Sequence, residues 1–425
     1  MAEAPLPQLV DHLFRHRYGE MVAGLCRVLG PARLDLVEDV VQEALLRALR
    51  VWPLEGVPER PEAWVFRVAR NLALDALRHS RIADRVGQEL QRWAEQEQPQ
   101  ADEVPGEGVT DDTLRLMFTC CHPAVPAEAR VPLVLKTVAG FGVPEIAAAL
   151  LQKDGTIAQR LTRAKARLQR EQVDFQVPPP RQLPARLHDV LEVLYLMFNE
   201  GYRSHRGLDL VRQDLVEEAV RLCALLLQQP ACARPEVHAL LALMLLLGAR
   251  LPARIDAAGL LLTLAEQDRS RWDPAWLQCG FLHFRRSLGG EQLTAYHCEA
   301  AIASIHAAAA DYAATDWPAI LGEYDRLLQL ADTPVVRLNR TVAVAKVHGP
   351  KAGLDALLQV PGDGVLADYF LLPATAAQLH WQLGEFAMAA RLLEQALALP
   401  SSEPEQRLLQ RRLAACRRGE PAPSW

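Results

Sequence analysis

Lys153–Arg170 holds six cations, Lys153, Arg160, Arg163, Lys165, Arg167 and Arg170, against Asp154 alone, a local charge of +5. Arginine and glutamine can fork onto base edges, and threonine and arginine can hold phosphate oxygens, so the chemistry on offer is nucleic-acid contact. A second basic stretch, Arg60–Arg85, sets six arginines against Glu62, Asp75 and Asp84, leaving +3. Two other groupings invite different chemistry. Cys120, Cys121 and His122 are soft ligands, suited to zinc or to redox work. Adjacent ligands cannot readily close a tetrahedron, and no second CxxC or HxxxH lies nearby. A small apolar helix end capped by His-Pro is therefore the favoured reading, with no metal or cofactor expected. Glu200, His205 and Asp209 offer a catalytic set on paper. With no glycine-rich phosphate loop and no nucleophile elbow in the chain, enzymatic activity is not expected.

The elements that must carry these residues are helices. Ala, Leu, Arg, Glu and Gln dominate, and apolar residues recur at three- and four-residue steps without sustained alternation. In Arg130–Arg170 one helix ends near Ala139, and Gly140 and Gly142 punctuate a turn. Pro144 suits a first helical position, and Asp154 or Thr156 can cap a longer helix running to about Arg170. On that last helix Ile157, Leu161, Ala164 and Leu168 form one narrow stripe. Thr156, Gln159, Arg163, Arg167 and Arg170 face away from it, and Arg160 lies at the edge. A short helix, a tight turn and a helix with outward cations suit major-groove entry. The bland alternative is an arginine-rich solvated helix. Upstream, Asp35–Trp52 sets Leu36, Val40, Val41, Ala44, Leu45, Ala48 and Leu49 against a polar face of Glu38, Asp39, Gln42, Glu43, Arg47 and Arg50. Glu62–His79 places Trp64, Val68, Leu72 and Leu77 inward, Trp64 as a core residue, with Arg67, Arg70, Asn71 and Arg78 outside.

The 425 residues carry 46 basic and 52 acidic side chains, and the net −6 argues against nucleic-acid binding only until the charge is located. Gln88–Asp112 sets eight acids against Arg92 alone, and its prolines and glycines read as a solvated linker. Val177–Pro184, VPPPRQLP, reads as a stiff joint. The expected division is 1–95, an acidic linker at 96–110, 111–176 and 184–425. The eight scattered cysteines, two of them adjacent, make no disulfide framework. No signal peptide is evident, and the longest apolar run, Val237–Gly248, contains His238 and reads as a buried helix shorter than a membrane span. A cytoplasmic protein without membrane contact is expected.

Two motifs carry a resemblance. D-x-x-E-D-x-x-Q-E from Asp35, followed by P-E-A-W-x-x-R-x-A-R-N-x-A-x-D-x-x-R from Pro61, resembles region 2 of the extracytoplasmic-function sigma factors of bacterial RNA polymerase. GFGVPEIAAALL, from Gly140, and DGTIAQRLTRAKARL, from Asp154, are similar to their region 4. The resemblance covers about the first 175 residues. It implies an all-α fold with a region 2 helical domain and a region 4 helix-turn-helix domain. It also implies core RNA polymerase and promoter DNA as partners. Asp39, Gln42, Glu43 and Arg47 would contact the polymerase. Arg67, Arg70, Asn71, Arg78 and Arg81 would serve the −10 element, with the Trp52–Pro61 loop forming part of a base pocket. Thr156, Gln159, Arg160, Arg163, Lys165 and Arg167 would serve the −35 element. The recognition helix departs from many relatives at Ala158 and Gln159, so the promoter sequence does not carry over.

Residues 184–425 are foreign to minimal sigma factors and resemble the extension of one sigma subgroup, often paired with DGPF-type proteins. Gln267–Asp273, Leu293–Ala307 and Thr315–Leu328 pair polar with aromatic residues and are assignable only to helix packing or to a groove. Gly384–Pro400 is similar to the second helix of a tetratricopeptide unit, with a partial echo after Gly349, 35 residues earlier. A helical, tetratricopeptide-like extension with a groove for a regulatory protein or peptide is expected, a ligand-free helical core being the alternative.

Overall fold

The computed structural model describes residues 6–78, 107–150, 152–202, 213–256, 259–290, 292–361 and 366–424. Helices account for every regular element among them, apart from one isolated bridge between Ile255 and Leu261. The chain divides into two units, Met1–Met197 and Phe198–Trp425.

In the first unit, α1 (Leu6–Leu29), α2 (Leu34–Glu55) and α3 (Pro61–Arg78) pack together. Gly30 and the 3-10 turn Pro31–Arg33 reverse the chain between α1 and α2. Leu34, Val37, Val41, Ala44, Leu45, Ala48 and Trp52 of α2 are buried, while Leu49 is exposed at 39%. Trp52 was expected to open a loop but lies inside α2, edge-on to the half-buried Trp64 at 5.5 Å. The loop itself begins at Gly56.

Helix α4 (Glu107–Cys120) starts inside the stretch expected to be linker. Its acids are not all solvated. Asp112 is 3% exposed and lies 3.3 Å from Arg27 of α1 and 3.2 Å from Arg115. Helices α5 (Ala127–Thr137), α6 (Val143–Ala149) and α7 (Asp154–Arg170) follow, with α6 and α7 in the expected helix-turn-helix order. Ile157, Leu161, Ala164 and Leu168 are all buried, each of the larger side chains contributing roughly 1.5–3 kcal/mol by leaving water.

The two helical sets were expected to be separate bodies on a tether, yet they share one unit. Helix α1 packs on both α2 and α4, and α7 packs on the Pro31–Arg33 turn. A Cβ at Gly19 of α1 would stand 2.0 Å from the Val138 carbonyl oxygen, so only glycine permits this approach. The first unit also runs past the expected boundary at 184. Helix α8 (Leu183–Tyr202) is tied to it by Arg130–Asp189 at 2.6 Å and by Arg186, which donates to the Phe118 carbonyl.

The second unit is a succession of helices, most packed on a neighbour in sequence: α9 (Gln213–Leu226), α10 (Pro235–Gly248), α11 (Pro274–Ser287), α12 (Ala295–Ala308), α13 (Trp317–Leu330), α14 (Pro334–His348), α15 (Pro350–Leu357), α16 (Leu371–Gln382), α17 (Phe386–Ala398) and α18 (Glu403–Arg417). With the 3-10 turn to Ala253, the α10 segment reaches 19 residues, so length does not set it apart from a membrane span. Its surroundings do, because it is the core helix of this unit. Gly248 and Gly280 let α10 and α11 meet so closely that added Cβ atoms would collide with Trp276 and Leu246. Gly349 and Gly384, at φ 90° and 80°, make the tight turns that place α15 on α14 and α17 on α16.

Candidate nucleic-acid interface

The buried stripe of α7 fixes which side chains face out. Gln159, Arg163 and Arg167 are exposed, and Thr156 and Arg160 are half-buried. Arg163 and Arg160 have no carboxylate within salt-bridge distance among the described residues, whereas Arg167 and Arg170 lie 3.8 Å and 3.0 Å from Glu171. The expected cationic face therefore exists, with its outermost arginines open to water.

Lys165 is not part of it. Its ammonium donates to Asp35 Oδ1 and to Glu38 Oε2, both at 2.7 Å, and its side chain is 14% exposed. While α7 rests on α2, these two carboxylates keep Lys165 from a phosphate, so it is available to DNA only once that contact opens. Glu38, expected on the polar face of α2, is 3% exposed. Burial pushes its carboxyl up although the Lys165 ammonium draws it down. The two carboxylates hold Lys165 above the usual lysine range against the opposing effect of burial. Asp35 and Glu38 were missed as partners of Lys165, although Glu38 stands in a helical row with the buried Val41, Leu45 and Trp52.

On α3, Arg67 and Asn71 are exposed. Arg70 is half-buried, with its Nε enclosed and without a hydrogen-bond partner. The side chain of Arg78 and all of Arg81 lie outside the described residues. On α2, Asp39 and Arg47 are exposed, Gln42 and Glu43 are half-buried, and Arg47 Nε donates to Glu43 at 3.0 Å.

Cys120 closes α4, and its sulfur lies 3.1 Å from the Thr137 hydroxyl. Burial pushes its thiol up to about 12 and raises Cys121 further, the opposite of an activated thiolate. His122 Nδ1 accepts from the Ala124 amide at 3.1 Å, which turns the chain towards α5. No group of three or more candidate metal ligands occurs among the described residues. Glu200 is half-buried, with its carboxyl raised to about 7 by burial, while His205 and Asp209 lie outside the described residues.

The three polar-aromatic motifs of the extension converge. Arg269 donates to the His306 and Ala309 carbonyls at 2.8 and 2.7 Å, and its guanidinium lies 4.6 Å from the Trp272 ring. His306 meets Trp317 edge-on at 5.3 Å.

Residues 14–82 match Sigma-70 region 2, and residues 115–168 match Sigma-70 region 4. Residues 186–288 match a family of unknown function, DUF6596. An uncharacterized protein of Rhizobium meliloti (strain 1021) is 38% identical over 374 residues, covering 88% of this chain and 88% of that protein. The ECF RNA polymerase sigma factor SigL of Mycobacterium tuberculosis (strain ATCC 25618 / H37Rv) is 35% identical over 152 residues, covering 35% of this chain and 82% of SigL. No solved structure matches the chain.

Proposed function

Since this chain belongs to the extracytoplasmic-function family of RNA polymerase sigma factors, a non-enzymatic class that binds core polymerase and promoter DNA, we propose that it directs polymerase to −10/−35 promoters under the control of its own extension. The observation that carries the −35 assignment is α7, the second helix of a tight pair, with four buried apolar residues behind an outward Gln159, Arg160 and Arg163. In this reading Thr156, Gln159, Arg160, Arg163 and Arg167 contact the −35 element, joined by Lys165 once it leaves Asp35 and Glu38. Arg67, Arg70 and Asn71, with Arg78 and Arg81, work on the −10 element. Asp39, Gln42, Glu43 and Arg47 meet the polymerase in the cytoplasm.

The Lys165 contact gives the reading a conformational step. The −10 and −35 elements lie roughly 25 base pairs apart, about 85 Å along B-DNA. A compact body the length of the first unit has a radius of gyration of about 16 Å. With α7 held on α2 through Lys165, Asp35 and Glu38, the two helical sets cannot reach both elements together. Engagement therefore requires their separation. Residues 198–425, a tetratricopeptide-like stack in this reading, control that step in place of a separate anti-sigma protein or dock an activating protein or peptide.

Run-off transcription with core polymerase tests the proposal, comparing the full chain with one ended at Met197. The expected result is start-site-specific transcripts whose yield differs between the two. No promoter-specific transcript from either would refute the sigma role, and equal yields would refute control by the extension.

A further inference from the structure

Two of the stretches left without a role by promoter recognition, Leu293–Ala307 and Thr315–Leu328, line one cavity in the second unit, of about 190 Å³. Helix α13 supplies Trp317, Ile320 and Tyr324 from one face, and α12 supplies His306. Helix α14 supplies Asn339, Val342 and Ala343, and Lys346 stands one turn further along the same face. Tyr312 completes an aromatic wall, 5.8 Å from Trp317 and edge-on to it. The space suits a single substituted ring, since an apolar cavity of about 150 Å³ admits benzene.

The charge around this wall is cationic. Lys346 Nζ lies 4.8 Å from the Tyr312 ring centre and 5.5 Å from that of Trp317. Burial draws its ammonium below the usual lysine range, and no carboxylate is within salt-bridge distance of it among the described residues. Arg269 and Arg250 both act on His306, helping burial to depress its imidazole to about 3, so the ring is neutral. His306 Nδ1, in a lining residue, is enclosed and without a hydrogen-bond partner. Asp311 acts on Arg269 and Glu299 on Tyr324, but neither reaches Lys346. An ammonium over the rings with no carboxylate against it favours an anion, and Lys346 already holds the place that a cationic guest would take.

We propose that this cavity binds a small planar aromatic carboxylate, its ring among Tyr312, Trp317 and Tyr324 and its carboxylate directed to Lys346. The site does not depend on the regulatory role given to the extension, and its test contains no transcription step.

Full-length protein is titrated with benzoate and with its neutral counterpart benzyl alcohol, followed by calorimetry and tryptophan fluorescence. Benzoate is expected to saturate below about 10 mM, at least tenfold more tightly than benzyl alcohol. Lys346→Met should weaken benzoate tenfold or more and leave benzyl alcohol unchanged, and Trp317→Leu should weaken both. Far-ultraviolet dichroism and the melting midpoint establish that each variant is folded, and Lys346→Gln serves if the methionine variant is not. Absence of saturation by benzoate would overturn the proposal, as would equal affinity for the two probes or benzoate binding untouched by a folded Lys346 variant. Saturation by a phenylalanine-ended peptide but not by benzoate would also overturn it, assigning the cavity to a protein partner.

Discussion

Lys165→Met removes the cation between α7 and α2, and its cost follows from the unequal surroundings of the two carboxylates. The Asp35 side chain is 75% exposed, so that half of the contact is screened and worth at most about 1 kcal/mol. The Glu38 side chain is 4% exposed, and stripping the partner from a buried charge typically costs about 3–5 kcal/mol. Glu38 can escape part of that penalty by taking up a proton, which puts the expected loss at about 2–4 kcal/mol near neutral pH. The pH dependence has a definite sign. In the variant the lowering effect of Lys165 is gone, and burial, with Asp35 and against Lys136, raises the folded pKa of Glu38 further above the unfolded value. The native form then binds more protons than the unfolded chain, and stability falls as pH rises. The deficit relative to the parent should therefore shrink towards pH 5 and grow towards pH 8. Replacing the pair with apolar residues, Lys165→Met with Glu38→Leu, should recover more than half of the loss because no charge remains buried. Hydrogen exchange of α2 and α7 amides in the whole chain reads the local free energy. A loss under about 0.5 kcal/mol, or a double variant no better than the single one, would refute the claim that a buried ion pair holds α7 on α2. The same variant should bind a duplex carrying both promoter elements more tightly, while binding to a −35 duplex alone stays unchanged, since the outer face of α7 is already exposed.

Arg163→Ala and Arg167→Ala should each flatten the salt dependence of −35 duplex binding by about one unit of slope, and an unchanged slope would remove that side chain from the phosphate contacts. Gly19→Ala drives a methyl to 2.0 Å from the Val138 carbonyl oxygen and should cost about 1–3 kcal/mol or more. A melting midpoint equal to that of the parent would contradict it. His238 and His283 share a 2.9 Å contact between their Nδ1 atoms, and burial and the neighbouring His238 depress His283 to about 4. The unfolded chain takes up protons first, so the second unit should lose stability as pH falls from about 6.5 towards 4, by about 1–2 kcal/mol after solvent screening. Urea titrations at several pH values check this, and His283→Phe should blunt the slope. A chain ended at Val177 should be less stable than one ended at Met197, because it loses Asp189 from Arg130 and the buried Leu187, Leu191 and Leu194.

The sequence by itself determined the helical class and most of the buried stripes of α2 and α7, though not the exposure of Leu49, the burial of Glu38 or the half-burial of Trp64. Ile157, Leu161, Ala164 and Leu168 lie where periodicity put them, and the motifs from Asp35, Pro61, Gly140 and Asp154 announced the family. Such features are legible because burial free energy follows the apolar area that one helix presents, and helical spacing records it within a few turns. Charged residues at the edge of a stripe are not legible in this way. Lys165 and Arg160 both stand about 70° from the centre of the apolar stripe of α7, on opposite flanks, so helix geometry gives them equal claims to solvent. What separated them is a pair of carboxylates about 130 positions away in the chain, brought up by the packing of α7 on the Pro31–Arg33 turn. Tertiary structure likewise decided that the first unit ends at Met197, where a proline-rich joint had suggested 184, and that two of the scattered polar-aromatic stretches line one cavity, with Arg269 of the third bound to His306 beside it. Those outcomes depend on pairings between distant segments, which local pattern does not encode.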